Sequence, residues 1–403
     1  MANPVKRAKA LLFFALFNSI VGFSILFPIL APLSRTLGLS EVEVGWLATS
    51  YSLMQFFASP YFGKLSERRG RKRVLLLGVM GFSISFASFG VIASIGATGA
   101  LGHASLFGLL LAARSLGGLL SAATLPAAQA YIADLTERNE RVSGMALVGA
   151  AFGLGIIFGP VIGALLSHFG LLVPIWTSTA LALVNGIYIA ARLPDTHPRA
   201  AAERIRGDGV IRRLMPVLSV AFVTVLASVA MEQTIAFLFQ DTLRLDARSA
   251  ARHVGLALGV YGCSAVLAQG LVVRRVKWSA LALIRLGVGI GIVGFAGLVA
   301  AKSFGLLTCA MAVQGFGYGL AMPGISALLS ISVDENEQGE AAGLNSSTQA
   351  LGRTIGPLLG TSLYKIEPHL PYAFSLLMLT AVASMLVVGS HWRRLSRAAT
   401  HAQ

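Results

Sequence analysis

Arg114, Glu232 and Arg353 each fall well inside a long apolar stretch of this chain. A charge held in hydrocarbon is expensive, so each is a candidate for function before anything else is known. Glu232, followed by Gln233, is the only acid well inside such a stretch. A carboxyl shielded from water changes the local charge by one unit when it takes up a proton, which suits a proton carrier. Lying nearer one end of its stretch than the centre, it has a plain alternative as an ionised acid at a watery mouth. Arg114 either takes part in such chemistry or is capped by carbonyls for packing. Arg353 reads as structural, paired with the second apolar segment or with backbone carbonyls. The amides Asn18, Gln55, Gln269, Gln314 and Gln349 either line a cavity or join helices. His253 stands alone, and no metal cluster, catalytic triad or Walker motif is present, so neither an enzyme, a metal site nor a cofactor is expected. The run GIGIVG at 289–294 matches a nucleotide fingerprint in letters only, since it sits in an apolar helix with no strand before it.

A second constellation is Gly63–Arg73, GKLSERRGRKR, with six cationic side chains (Lys64, Arg68, Arg69, Arg71, Lys72, Arg73) and one acid, Glu67. Long apolar runs flank it on both sides. Such a cluster cannot cross a bilayer, so a tight turn between two membrane helices is expected, on the cytoplasmic side. Asp134, at the end of a later apolar run, is the expected partner of its arginines in a cytoplasmic gate.

The elements that hold these residues follow from composition. The 403 residues are 55% hydrophobic and 12% charged, against roughly 25% charged in soluble domains. A spanning helix needs about 20 apolar residues for about 30 Å of hydrocarbon. Twelve segments qualify: 9–33, 44–62, 74–97, 104–132, 142–167, 170–191, 215–240, 250–273, 279–300, 304–332, 341–365 and 370–391. The first run, after MANPVKRAK, is too long for a signal-peptide core and reads as a retained helix. The net charge of +15 does not imply nucleic acid. Its Lys and Arg alternate between loops: Lys6, Arg7, Lys9, the cluster, Arg138, Arg141, Arg192, Arg199, Arg204, Arg206, Arg212, Arg213, Arg274, Arg275, Lys277, Arg393, Arg394 and Arg397 on one side. The other side holds only Arg35, Arg244, Arg248, Arg252, Lys302 and Lys365. Positive loops face the cytoplasm, so both termini are expected there. Cys263 and Cys309 lie in apolar runs and suggest no disulfide.

The chain also repeats itself. A shift of 197 sets Pro126, Asn139 and Glu140 on Pro323, Asn336 and Glu337. The same shift sets Gly155, Gly159, Pro160 and Gly163 on Gly352, Gly356, Pro357 and Gly360. A shift of 207 sets Gly63 and Arg68 on Gly270 and Arg275. The expected organisation is therefore an N-terminal bundle at 1–191, a cytoplasmic linker at 192–213 and a C-terminal bundle at 214–403.

Gly63–Arg73 resembles the loop signature of the major facilitator superfamily, G-x-L-(small)-D-R-x-G-R-(R/K). Gly63, Leu65, Ser66, Arg68, Gly70, Arg71 and Lys72 fit it, with Glu67 for the usual aspartate. Segment 153–164, GLGIIFGPVIGA, resembles the antiporter signature of proton-coupled drug exporters through Gly155, Gly159, Pro160 and Gly163, with Ala164 for its last glycine. Generic close packing of glycines on one helix face is the alternative. Arg114 and Gly118 fit an R-x-x-x-G pattern associated in the family with proton coupling. The stretches AYIADLTERNER and ATSYSLMQFFASP are similar to tetracycline/proton antiporters and their multidrug relatives. One departure stands out: tetracycline carriers bear an acid in the first helix, where this chain has Phe17-Asn18-Ser19 before Pro28.

The resemblance implies an all-α membrane protein with twelve transmembrane helices in two pseudo-symmetric six-helix bundles. It implies a monomer of the cell (inner) membrane exporting amphipathic small molecules in exchange for protons. Arg114 and Glu232 would couple the proton. Asn18, Gln55, Gln233 and Gln314 would line the substrate cavity. Gly63, Glu67, Arg68, Gly70, Arg71 and Asp134 would form the cytoplasmic gate. The alternatives are a proton-independent facilitator or importer of a metabolite, and a receptor that keeps the fold without transporting.

Overall fold

A computed structural model describes residues 4–135, 141–194, 209–273, 275, 278–334 and 337–388, without the side chains of 4–7 and 141–146. Several expectations lie outside the described residues: linker positions 195–208, the repeat members Asn139, Glu140 and Asn336, and Arg138, Arg199, Arg204, Arg206, Arg274, Lys277, Arg393, Arg394 and Arg397. The side chains of Lys6, Arg7 and Arg141 lie outside them too.

The described residues form α-helices α1 (Pro4–Ser24), α2 (Leu30–Thr36), α3 (Glu41–Arg69), α4 (Arg71–Ala97), α5 (His103–Ser121), α6 (Thr124–Leu135), α7 (Arg141–Ser167) and α8 (Val173–Arg192). There follow α9 (Val210–Leu243), α10 (Ala247–Leu267) with a π-helical turn at Ala268–Val273, α11 (Ala280–Ala300), α12 (Phe304–Ile331), α13 (Gln338–Ile366) and α14 (Leu370–Val388). Among the described residues nine helical stretches are long and apolar enough to cross a membrane, and Ala8–Ser24 is a shorter apolar helix. The 29-residue helices α3 and α13 fall outside the nine. Both carry charged ends and scattered polar residues that dilute their hydropathy.

Three expected spans are built differently from a single straight helix. The run 9–33 breaks between Ser24 and Leu30, because Pro28 has no N–H and its ring would strike the carbonyl a turn earlier. The run 104–132 breaks at Ala122–Ala123, ahead of Pro126. Pro126 cannot donate to the Ala122 carbonyl, which takes a 3.4 Å hydrogen bond from Ser59 Oγ instead. The run 250–273 closes in the π-helical turn.

The basic cluster needs a larger correction. It is not an eleven-residue turn: α3 continues to Arg69 and α4 begins at Arg71, so the turn is Gly70 alone. Its φ of +92° suits glycine, which has no Cβ to clash there. At the other end of α3, Ser40 and Glu43 form a capping box that satisfies two end donors reciprocally. α9 likewise starts at Val210, ahead of the expected 215, and carries Pro216 inside it.

Two compact units divide the chain. One holds the described residues of 1–201 with 245–256, the other those of 202–244 with 257–403. In the first, α1 packs on α7 and α8, α3 on α5, and α4 on α5 and α8. In the second, α9 packs on α13 and α14, and α11 on α12 and α14. The pairing α1–α7 and the pairing α9–α13 use the same device. A Cβ on Gly155 would lie 2.7 Å from Ile20, and one on Gly159 or Gly163 would strike Ser24 or the Ile25 carbonyl. In the second unit a Cβ on Gly352, Gly356 or Gly360 would lie 3.0, 2.9 and 2.9 Å from Val225, Val229 and Ala230. The repeat seen in letters is thus repeated as contacts. Large apolar side chains such as Phe57, Phe158, Leu165 and Val184 are exposed, as are Cys263 and Cys309.

Candidate transport site

At the joint of α3 and α4, Arg71 is buried and its Nε lies 3.1 Å from Asp134 of α6. Arg71 Nη1 also donates to Ser66 Oγ at 2.7 Å, and that hydroxyl donates to the Gly63 carbonyl at 2.7 Å. One arginine therefore ties the end of α3, the start of α4 and the end of α6. The sequence favoured the whole cluster as partner to Asp134; the structure selects Arg71. Glu67 and Arg68 are exposed on the last turns of α3, and Glu67 makes no hydrogen bond or ion pair among the described residues.

Arg114 is buried in α5, with 4% exposed. Its guanidinium lies over the Tyr51 ring, 4.5 Å from the centroid, and 5.9 Å from that of Phe86. Nε donates to the Leu47 carbonyl at 3.4 Å, while Nη1 has no partner among the described residues. Tyr51 is fixed in turn by Ser121, at 2.6 Å from its hydroxyl, and by Phe23, stacked at 5.3 Å. One turn on from Arg114, a Cβ on Gly118 would strike the Tyr51 carbonyl. Arg114 and Gly118 thus act together: one lets α3 approach α5, and the other lays a cation on the ring that arrives.

The second unit repeats the approach with a different charge. A Cβ on Gly315 of α12 would strike the Tyr261 carbonyl, as Gly118 does with Tyr51. The contact pairs Tyr51 with Tyr261, three residues from the register that set Gly63 on Gly270, and the π-helical turn follows Tyr261. Here the neighbour is an acid. Ser228 Oγ donates to Glu232 Oε1 at 3.2 Å and lies 2.8 Å from the Tyr261 hydroxyl. Since the Ser228 proton goes to the carboxylate, Tyr261 donates to Ser228. Arg353 and Tyr318 are within electrostatic reach of Glu232. Arg353 Nη2 also donates to Gln349 Oε1 at 3.0 Å, along its own helix rather than to the second apolar segment.

Arg114 and Glu232 each find partners inside their own unit, so neither is defined by the other. Gln314 is buried, with Gly291 and Gly294 of the GIGIVG run packed against it. Asn18, Gln55 and Gln233 are half-buried without a hydrogen bond among the described residues. Gln269 is exposed in the π-helical turn. His253 Nδ1 lies 2.7 Å from the Ser249 carbonyl. The sequence reading passed over Asn185, which donates to the Ala15 carbonyl at 2.7 Å and ties α8 to α1. It also passed over Tyr51, Ser228, Tyr261 and Tyr318. Of these, Ser228 had a signal: it stands one helical turn before Glu232, on the same face.

The Major Facilitator Superfamily profile matches residues 12–357 and 284–402. Multidrug resistance protein 2 of Bacillus subtilis is 28% identical over 388 residues, covering 93% of this chain and 92% of the relative. The class C tetracycline resistance protein of Escherichia coli is 30% identical, covering 85% and 86%. A bacterial homologue of the human lysosomal transporter Spinster, solved inward-facing and occupied, superposes with a TM-score of 0.77 at 13% identity, covering 100% and 99%. The human organic anion transporter MFSD10 does so with 0.67 at 21%, covering 95% and 100%. These likenesses, with the signature residues assembled around Arg71 and Asp134, make the chain a membrane transporter belonging to the major facilitator superfamily.

Proposed function

We propose that this transporter is a proton-coupled exporter of amphipathic small molecules, with twelve spanning helices in two six-helix halves at 1–191 and 214–403. The halves would be joined by a cytoplasmic linker at 192–213. Both termini face the cytoplasm of a cell (inner) membrane, where the protein works as a monomer. The halves rock about a midplane site, opening it to each side in turn.

The observation that carries the reading is the half-buried carboxyl of Glu232 in the second unit, hydrogen bonded by Ser228 and within electrostatic reach of Arg353. A proton entering from outside neutralises Glu232, and its loss inside restores the charge. Gln314, with Asn18, Gln55 and Gln233, offers the substrate amide groups. Arg114, over the Tyr51 ring, holds the fourth span against the second so that the first half moves as one piece. Arg71 and Asp134, with Gly63, Glu67, Arg68 and Gly70 around them, latch the cytoplasmic end. The glycine face of α7 sets how closely the first and fifth spans pack. The multidrug and tetracycline resistance names among the relatives support the export direction.

Proteoliposome flux with and without a pH gradient tests the reading. Wild-type protein should accumulate substrate uphill only with the gradient, and Glu232→Gln should lose substrate-induced proton release while substrate binding stays measurable. Gradient-independent flux would favour a facilitator, a reading helped by Asn18 standing where tetracycline carriers have an acid.

A further inference from the structure

Thr224 of α9 is 6% exposed, and its hydroxyl has no hydrogen-bond partner among the described residues. It does not fold back on its own helix as Thr234 does, which donates to the Ala230 carbonyl at 2.8 Å. Instead it lines a small cavity with Gly287, Gly291, Gln314, Tyr318 and Leu379. Gln314 of α12 is 3% exposed, and its amide makes no hydrogen bond among the described residues either. A Cβ on Gly291 would lie 3.2 Å from Gln314 Oε1, which sets the amide oxygen at the cavity wall. The space is about that of one water molecule. Two buried polar side chains without partners therefore share one hole of that size.

The first unit meets the same need with side chains. Gly155 packs on Ile20 as Gly352 packs on Val225, so Ser19, one residue before Ile20, corresponds to Thr224. Ser19 Oγ donates to the Ala15 carbonyl at 2.9 Å and accepts from Asn185 Nδ2 of α8 at 3.1 Å. The shift of 197 sets Gln314 on Gly117. Against Gly117 stands Ser85 of α4, whose hydroxyl donates to the Ala113 carbonyl at 2.8 Å. In the second unit α14 brings Leu379 to the cavity and α11 brings Gly291, and neither has a polar side chain to give.

We propose that the second unit holds one buried water molecule between the Thr224 hydroxyl and the Gln314 amide, where it supplies the hydrogen bonds that Asn185 supplies to Ser19 in the first unit. The water accepts from Thr224 Oγ1 and donates to Gln314 Oε1. A buried water is held by two to four polar partners, and these two side chains on facing helices meet that need. A buried hydroxyl or amide is costly when it has no partner, so the water is bound by the two groups it satisfies. It joins α9, the helix that carries Glu232, to α12 by a hydrogen-bonded bridge rather than by apolar contact alone. The site does not depend on Glu232 being the coupling carboxyl, so it stands or falls separately from proton-coupled export.

The test is thermal unfolding of the full chain in detergent, for wild type, Thr224→Val, Gln314→Leu and the double variant. Valine keeps the shape of threonine and removes only the hydroxyl. With the water in place, Thr224→Val should lower the melting temperature by about 3 °C. In the Gln314→Leu background the same change should have no such effect, because the bridge is already broken. A hydroxyl that is unpaired in the wild type gives the opposite sign, since removing it relieves a cost. A melting temperature that is unchanged or raised in Thr224→Val therefore overturns the proposal. An equal fall in both backgrounds also overturns it, because the two side chains would then share no ligand. A second measurement needs no variant: high-resolution density of the wild type should show one water within hydrogen-bonding distance of both side chains, and a dry cavity overturns the site.

Discussion

Arg71 and Asp134 meet at 3.1 Å with their side chains 7% and 8% exposed, closing the ends of α3, α4 and α6 on one ion pair. A buried pair is worth less than its Coulomb energy suggests, because both ions lose water. Removing one partner is costly, since the other charge stays buried. Asp134→Asn should therefore destabilise this end by about 3 kcal/mol and slow transport. Exposed Glu67 has no such partner among the described residues, so Glu67→Gln should stay close to wild type. Transport rates and melting temperatures at equal expression check both; equal damage from the two would remove Arg71–Asp134 as the centre of the latch.

The Arg114 guanidinium lies over the Tyr51 ring, 4.5 Å from its centroid. Lysine keeps the charge and loses the planar contact. Arg114→Ala should abolish transport, whereas Arg114→Lys should retain part of it. Tyr51→Phe keeps the ring and loses only the 2.6 Å contact with Ser121, a cost of about 1 kcal/mol. Transport in Tyr51→Phe should exceed that in Arg114→Lys, measured as initial rates in the same vesicles.

Gly118 and Gly315 each press a helix onto a tyrosine carbonyl. Alanine at either place forces backbone apart, costing about 2 kcal/mol through overpacking. Gly108 of α5 faces open space and serves as the control. Thermal unfolding in detergent should show Gly118→Ala and Gly315→Ala well below wild type, with Gly108→Ala unchanged.

Glu43 caps α3 and lies 2.8 Å from His103, which begins α5. Burial pushes its carboxyl up, but hydrogen bonds from the Ser40 backbone and hydroxyl and the His103 imidazole outweigh that, holding it below the ordinary carboxylate range. A depressed carboxyl stabilises the fold above its unfolded value, and that contribution is lost as pH falls through the folded value. Acidification should therefore melt wild type sooner, and the stability of Glu43→Gln should vary less with acid pH. Parallel profiles of the two proteins would show that Glu43 contributes nothing to the acid transition.

Apolar length, alternating loop charge, the Gly63–Arg73 signature and the repeated glycines all lie along the chain, and these determined the family and the helical class from the sequence alone. They are legible because a bilayer demands long apolar runs and because close helix contacts demand glycine at fixed intervals. Lone intramembrane charges were legible for a similar reason: hydrocarbon makes Arg114 and Glu232 conspicuous. Their partners were not, because a hydrogen bond between distant helices leaves no mark on local spacing. Only the folded chain selected Arg71 among six cations, set Arg114 on Tyr51, and linked Glu232 through Ser228 to Tyr261. Side-chain reach across packed helices decided each of those, and that is a property of the tertiary structure.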